Sequence, residues 1–358
     1  MVRKTKKIKI NEENVSLSVE ERFNLVKRGT AEIIGEDELK SILSSKKKPV
    51  AYLGTAPTGR PHVGYFIWGL KVCDLLKAGF HVKILIADLH AALDNTPWYI
   101  LEKRYDYYAA VIPEMIKAIG ANIKELEFVK GSEMQLNPDY MYDVLKLSTF
   151  VSVHDATKAA SDVVKMGDNP KLSGLIYPLM QVCDEQYLGV DCQLGGTDQR
   201  KIMVLARENL PKMGYKSRIE IMNPLLPGLI GEKMSSSNEE SKIDLLDDPI
   251  TVQKKLNKAY FLEGDPNNGV MAFLEYFLMT IKKDNNEKFV VERPQKFGGN
   301  VSYSDFSEIK RDVLSKTLHP QDIKIAVAKE ISLILSRMNR DKLLKLAEKA
   351  YPKNNHSI

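Results

Sequence analysis

Residues 50–88 constrain the fold more than any other stretch of this chain. Val50-Ala51-Tyr52-Leu53 is a short apolar run bounded by Gly54 and Pro57. Runs of that length between turn residues read as buried strands. A helical segment follows from about Val63 to Ala78 and stops at Gly79, and Val82-Lys83-Ile84-Leu85-Ile86-Ala87-Asp88 then reads as a second strand. Strand, loop, helix, strand is a βαβ unit. Its crossover places the two strands side by side and parallel, with a right-handed connection. An α/β protein built on a parallel sheet is therefore expected.

The alternation continues. A long helix is expected from Tyr99 to Ile119, a third strand from Leu126 to Lys130, and further helices and apolar runs as far as Pro224. Residues up to about Lys48 read as a helical lead-in, with Ser18 and Glu21 forming a capping box ahead of Phe23, Leu25 and Val26. From about Asp248 the pattern changes. Ile325, Ala328, Ile331, Leu335 and Met338 recur at helical spacing with charges between them, which predicts a mainly helical region. No internal repeat or low-complexity segment interrupts the chain.

Composition narrows the class. The three cysteines, Cys73, Cys183 and Cys192, have no CxxC spacing. So sparse a set argues against a disulfide framework or a zinc site and suits a reducing compartment. The basic residues near Met1 precede no apolar run, and Glu12, Glu13, Glu20 and Glu21 follow them, so neither a secretory leader nor a transit peptide is expected. No apolar stretch approaches the roughly 20 residues that span a bilayer. A cytoplasmic protein without membrane contact is the expectation. The formal net charge of +5 permits a polyanionic partner without requiring one.

Two motifs carry chemistry. Thr55-Ala56-Pro57-Thr58-Gly59-Arg60-Pro61-His62-Val63-Gly64-Tyr65 joins the first strand to the first helix. Gly59 and Gly64 let the backbone approach a ligand, and a helix N-terminus offers free N–H groups to phosphate. His62 lies at that entrance. Read alone, the motif also fits a helix cap beside a core histidine. The second motif is Gly231-Glu232-Lys233-Met234-Ser235-Ser236-Ser237, after a loop rich in proline and glycine. A lysine followed by three hydroxyls suits a triphosphate. A polar linker is the alternative reading.

Together the motifs resemble the HIGH and KMSKS signatures of class I aminoacyl-tRNA synthetases. The likeness extends through Val50 to Leu53, Ala87-Asp88-Leu89-His90-Ala91, Tyr177-Pro178-Leu179-Met180-Gln181-Val182-Cys183-Asp184, Gly195-Gly196-Thr197-Asp198-Gln199-Arg200-Lys201, Lys296-Phe297-Gly298-Gly299 and His319-Pro320-Gln321-Asp322. From about Glu20 to Pro352 the chain resembles the tyrosyl-tRNA synthetase family of archaeal and eukaryotic cytosolic type. Tyr65 stands where the general signature has its second histidine, and Ser236 where it has its second lysine.

The resemblance implies a Rossmann-like catalytic domain over 49–238, after the lead-in of 1–48, with a dimer-interface insertion around 107–158. A helical anticodon-binding domain over 239–358 completes it. The implied reaction joins L-tyrosine to ATP, giving tyrosyl-adenylate and pyrophosphate, and then passes tyrosine to the 3′-terminal adenosine of tRNA(Tyr). Tyr52 and Asp184 are expected to hold the phenol, Tyr177, Gln181 and Gln199 the amino-acid end, and Leu85, His90 and Gln135 the pocket wall. Gly54, His62, Gly64, Gly196, Asp198, Lys233 and Met234 are expected around ATP. His62, Gly64, Lys233 and Ser235 would assist the chemistry. Mg²⁺ would travel with the nucleotide, no dedicated metal site being visible. Arg200 and Lys201 are expected near the acceptor stem, and Phe297, His319 and Asp322 at the anticodon. A homodimer is implied, with Met115, Ile119, Phe150 and Val151 as candidate anchors. The alternatives left open are a tryptophan-specific synthetase, a small nucleotidyltransferase and a non-catalytic RNA-binding relative.

Overall fold

The computed structural model describes residues 17–164, 167–229 and 242–352. Its larger sheet contains β1 (Glu32–Ile34), β2 (Val50–Thr55), β3 (His81–Ile86), β4 (Leu126–Lys130), β5 (Cys192–Gly196) and β6 (Ile219–Asn223), in the order β1-β6-β5-β2-β3-β4. Every pair is parallel except β1 with β6. Ala51, Val82, Ile84, Ile86, Cys192 and Ile221 are fully buried. Strands covered on both faces need such near-continuous apolar runs, which is why they were legible as strands. β2 has β3 on one side and β5 on the other, so the winding reverses at β2. Open α/β sheets place their ligand crevice at the carboxyl ends of the strands beside such a reversal.

Among the described residues, ten helices accompany this sheet: α1 (Val19–Lys27), α2 (Glu36–Ser45), α3 (Tyr65–Lys77), α4 (Asp88–Leu93), α5 (Leu101–Ala118), α6 (Gly131–Gln135), α7 (Pro138–Ser148), α8 (Val153–Ala160), α9 (Leu172–Tyr187) and α10 (Arg200–Asn209). The remainder is mainly helical: α11 (Pro249–Asn257), α12 (Gly269–Phe273), α13 (Thr280–Asp284), α14 (Phe306–Leu314), α15 (Pro320–Leu335) and α16 (Arg340–Ala350). A π-helical turn over Leu274–Met279 joins α12 to α13, and β7 (Phe289–Val291) pairs with β8 (Val301–Tyr303). The capping box at α1 is formed: Ser18 N donates to Glu21 at 2.7 Å and Glu21 N donates to Ser18 Oγ at 3.2 Å.

Two expectations are corrected. The lead-in is not purely helical, because Glu32–Ile34 pairs antiparallel with β6 and finishes that edge of the sheet. Three residues are too few to show a strand period, and the partner lies far along the chain. Met115 and Ile119 are core residues rather than surface anchors: Met115 is fully buried, and a Cβ on Gly69 of α3 would come 3.1 Å from its terminal methyl. Val151 is partly buried against the core. Phe150 stays outside at 42% exposure, and nearby in the chain Leu136, Tyr142, Leu145 and Val153 are each at least 63% exposed.

One apolar cluster runs from the sheet through α3 and α5 into the C-terminal helices, with Phe66, Val82, Ile112, Phe277, Ile331 and Leu343 among its buried members. A second, under α9, contains Tyr140, Leu147, Met180 and Ile202. No helix among the described residues is long and apolar enough to cross a membrane.

Candidate active site

The first motif leaves β2 at Thr55 and enters α3 at Tyr65. His62 is 8% exposed, and its Nδ1 accepts from the Gly64 N–H at 3.1 Å. A ring nitrogen that accepts carries no proton, so the proton sits on Nε2. Burial, with Lys242 nearby, pushes the imidazole down to about 4. His62 is thus a neutral Nε2–H donor at physiological pH. Tyr65, in the place of the second signature histidine, is partly buried and meets the Tyr108 hydroxyl at 3.2 Å, while Tyr108 donates to Gly59 O at 2.6 Å. These contacts brace the loop.

The loop is also tied to the residues that follow the second motif. Val63 N donates to Ile243 O at 2.9 Å and Leu245 N to Pro61 O at 3.2 Å, with Arg60 ion-paired to Asp244 at 2.8 Å. This bridge anchors residues 242–247 beside His62. Lys233, Met234, Ser235 and Ser236 lie outside the described residues.

Behind the loop, at the carboxyl ends of β2 and β5, a cavity of about 400 Å³ opens. Tyr52, Gly54, His62, Gly64, Leu85, His90, Tyr177, Gln181, Asp184, Gly196, Asp198 and Gln199 all line it. Twelve residues foreseen at separate points of the sequence therefore meet at one crevice. Asp184, on α9, is 1% exposed. Its Oδ1 accepts from Gln135 Nε2 and from the Tyr140 hydroxyl, each at 2.8 Å. Its Oδ2 lies 3.9 Å from His90 Nε2. Burial pushes the carboxyl up to about 7, against the pull of the Gln135 and Tyr140 hydrogen bonds. The Tyr52 hydroxyl is buried and has no hydrogen-bond partner among the described residues. Burial first, then the charges of Asp184, Glu185 and Glu220, hold its proton on well above the ordinary phenol range. A buried donor and a buried acceptor that line one apolar-walled cavity call for a ligand with a matching hydroxyl.

Gln135 stands behind this wall rather than on it, bonding both Asp184 and, at 3.2 Å, His90 Nδ1. His90 packs edge-on against the Tyr177 ring at 4.5 Å. At the other end of the cavity Gln181 Nε2 donates to Gln199 Oε1 at 3.0 Å. A side chain on Gly196 would collide with the Asp198 carboxylate, so glycine is required there for Asp198 to turn toward the cavity. On Gly54 a Cβ would meet only the Tyr52 ring, at 3.8 Å, so the protein itself leaves room beside that strand.

The other foreseen residues lie elsewhere. Arg200 pairs with Glu32 at 2.7 Å and Lys201 with Asp162 at 2.8 Å, both near the cavity's outer end in sequence but not in its lining. Phe297 is 59% exposed. His319 caps α15, its Nδ1 accepting from Gln321 N at 3.1 Å, and Asp322 sits in the same first turn. Arg293 ties the two turns together, donating to Gly299 O at 3.1 Å and Thr317 O at 3.0 Å.

Sequence reading missed Tyr140, which nothing in α7 distinguishes from a core tyrosine. It also missed a polar row beneath the pocket. Tyr52, Gln193 and Glu220 are in register across β2, β5 and β6, and Glu185 of α9 is buried with them. Burial pushes the Glu185 carboxyl up to about 8 and Glu220 well above its ordinary range. A polar residue among apolar neighbours at the second position of each strand, Gln193 and Glu220, was the available signal.

A parallel sheet reversing at this crevice, with a histidine-bearing loop bridged to a second loop, defines a class I synthetase architecture. The sequence profile of tRNA synthetases class I (W and Y) matches residues 44–336, and the chain belongs to that family. Within it, similar proteins include several tyrosine–tRNA ligases. The cytoplasmic enzyme of Xenopus laevis is 48% identical over 345 residues, 94% of this chain and 64% of that protein. The chain thus spans just under two thirds of that relative's length. The cytoplasmic enzyme of Saccharomyces cerevisiae is 46% identical over 93% of this chain and 88% of its own length. Among solved structures, tyrosyl-tRNA synthetase from Archaeoglobus fulgidus complexed with L-tyrosine superposes with a TM-score of 0.83 at 38% identity, covering 91% of this chain and all of that one.

Proposed function

We propose that this protein is a tyrosine–tRNA ligase that activates L-tyrosine with ATP and transfers it to the 3′-terminal adenosine of tRNA(Tyr) in the cytoplasm. The observation that carries this reading is the buried pair of Tyr52 and Asp184 on one cavity wall. An indole offers a donor but no hydroxyl that both donates and accepts. A phenol does both: it donates to Asp184 and accepts from Tyr52. Phenylalanine would leave both groups unpaired, a relation for which tyrosine-specific synthetases are the reference case. The solved relative with bound L-tyrosine supports the same choice.

The first step needs no general base, because the amino-acid carboxylate is already ionised. The enzyme aligns it with the α-phosphate and stabilises the charge that builds on pyrophosphate. Tyr177, Gln181 and Gln199 orient the amino-acid end. Neutral His62 donates from Nε2, its ring held in that tautomer by the Gly64 N–H on Nδ1. Gly54 leaves room for the nucleotide, Asp198 beside Gly196 accepts from the ribose hydroxyls, and Lys233, Met234 and Ser235 serve the phosphates. Mg²⁺ carried on the nucleotide would supply further positive charge there, beside His62 and Lys233. For the RNA, Arg200 and Lys201 face the acceptor stem, while Phe297 and His319 stack on anticodon bases and Asp322 accepts from one. The exposed apolar surface of Leu136, Tyr142, Leu145, Phe150 and Val153 is the contact between two copies of the chain.

Pyrophosphate–ATP exchange with each amino acid in turn tests the reading. Tyrosine alone should support exchange, and Asp184→Ala should abolish it while the protein stays folded. Exchange supported by tryptophan instead, or an Asp184→Ala variant that still discriminates tyrosine from phenylalanine, would overturn it.

A further inference from the structure

The helix that begins beside His62 is gripped from both ends. Near its start, Phe66 stacks on Phe277 of the π-helical turn, with ring centroids 4.9 Å apart and planes 2° from parallel. Toward its end, Lys71, Asp74 and Lys77 recur every three residues and so share one face of α3. Asp74 is 2% exposed and Lys71 4%. Lys71 Nζ donates to Val26 O at 3.0 Å and to Arg28 O, closing the end of α1 onto α3. Arg28 itself reaches two carboxylates. Its Nε donates to Asp74 Oδ2 at 2.9 Å and its Nη2 to Asp74 Oδ1, while Nη1 and Nη2 donate to the two oxygens of Asp284 at 2.7 and 2.8 Å. Lys77 adds a third bond to Asp284, at 2.7 Å.

Asp284 is the last residue of α13. An acid at a helix C-terminus opposes the helix dipole, so it needs cations to hold it there. Burial alone would raise its carboxyl; Arg28 and Lys77 outweigh that and hold it at about 2. A planar guanidinium that forks to two carboxylates fixes orientation as well as distance, which an ammonium does not.

We propose that Arg28 is a positioning residue which, by gripping Asp74 of α3 and Asp284 of α13 together, sets the placement of the C-terminal helices against α3, the helix that starts just after His62. This rests on the function proposed above and deepens it. An RNA held at Phe297 and His319 must deliver its far end to the crevice, so the rigidity of this joint governs transfer to RNA more than activation of tyrosine.

The test uses the full chain with Arg28→Met, Asp284→Asn and Asp284→Glu, measuring tyrosine-dependent pyrophosphate exchange, tRNA charging and amide hydrogen exchange. Asp284→Asn leaves Arg28 paired with Asp74, so it decides the matter even where Arg28→Met fails to fold. Exchange should stay within about twofold of wild type, and kcat for charging should fall about tenfold with the tyrosine KM unchanged. That is part of the roughly hundredfold that a misplacement of about 1 Å costs elsewhere. Asp284→Glu should recover most of the loss, and amides of residues 274–287 should exchange about tenfold faster in Asp284→Asn alone. Exchange and charging falling in parallel, charging left intact, or unchanged amide protection would each overturn the inference. A wild-type protein inactive in pyrophosphate exchange would instead refute the proposed function, and amide protection would still judge the joint.

Discussion

Replacing Asp184 by asparagine should make the ligand-free protein more stable while destroying its capacity to activate tyrosine. The carboxyl is moved from its ordinary 3.8 to about 7, mainly by burial. Between those two pH values the folded chain keeps a proton that the unfolded chain has released. Stability therefore falls as pH rises through that window and stays level above it. At about 1.4 kcal/mol per pKa unit, the full cost of ionising Asp184 in place is ~4 kcal/mol above pH 7, and ~2 kcal/mol at pH 5. Asparagine keeps the shape and cannot ionise. Denaturant unfolding of both proteins should show the variant gaining ~3 kcal/mol more at pH 8 than at pH 5. Glu185, whose carboxyl Asp184 also helps to raise, shifts the result in the same direction. Pyrophosphate exchange on the same samples should be lost, because the amide cannot reproduce the charged acceptor. A stability gain equal at both pH values, or retained exchange, would refute the argument that this carboxylate is held at a cost for the phenol.

Tyr140→Phe removes a hydrogen bond that favours ionised Asp184, so the pH at which the tyrosine KM inflects should rise by about one unit, hydrogen bonds to charged groups being worth about 1.5–3 kcal/mol. KM measured from pH 6 to 9 checks this, and an unmoved inflection counts against it. His62→Ala should lower kcat for exchange about a hundredfold, as loss of a donor to developing charge does. His62→Gln should recover part of it, and since burial keeps His62 neutral down to about 4, the wild-type profile should carry no inflection from it between pH 5.5 and 8.

The sheet and the crevice were legible because both rest on local signals. Val50–Leu53 and Val82–Ile86 are largely apolar runs beside turn residues, Leu126–Lys130 follows a helix at strand length, and the structure places strands on each. The histidine-bearing loop is likewise contiguous. The pocket's supports are not. Tyr140 reaches Asp184 only because α7 packs across α9, a fact of tertiary geometry that leaves no trace in α7's own periodicity. Met115 and Ile119 show the converse error. Their apolar character is common to core and interface, and only the close approach of Gly69 reveals which role they take. Glu32–Ile34 was read with its helical neighbours because three residues carry too little pattern to outvote them.

That short strand also bears on how the protein is made. During synthesis β1 emerges long before β6, the strand it must join. Until Ile219–Asn223 leaves the ribosome, the amino-terminal segment has no strand to pair with, and the larger sheet is completed by closing its first-made edge last. A chain stripped of that segment would carry β6 bare along one side, an open ladder of Ile219, Ile221 and their backbone groups offered to any passing strand.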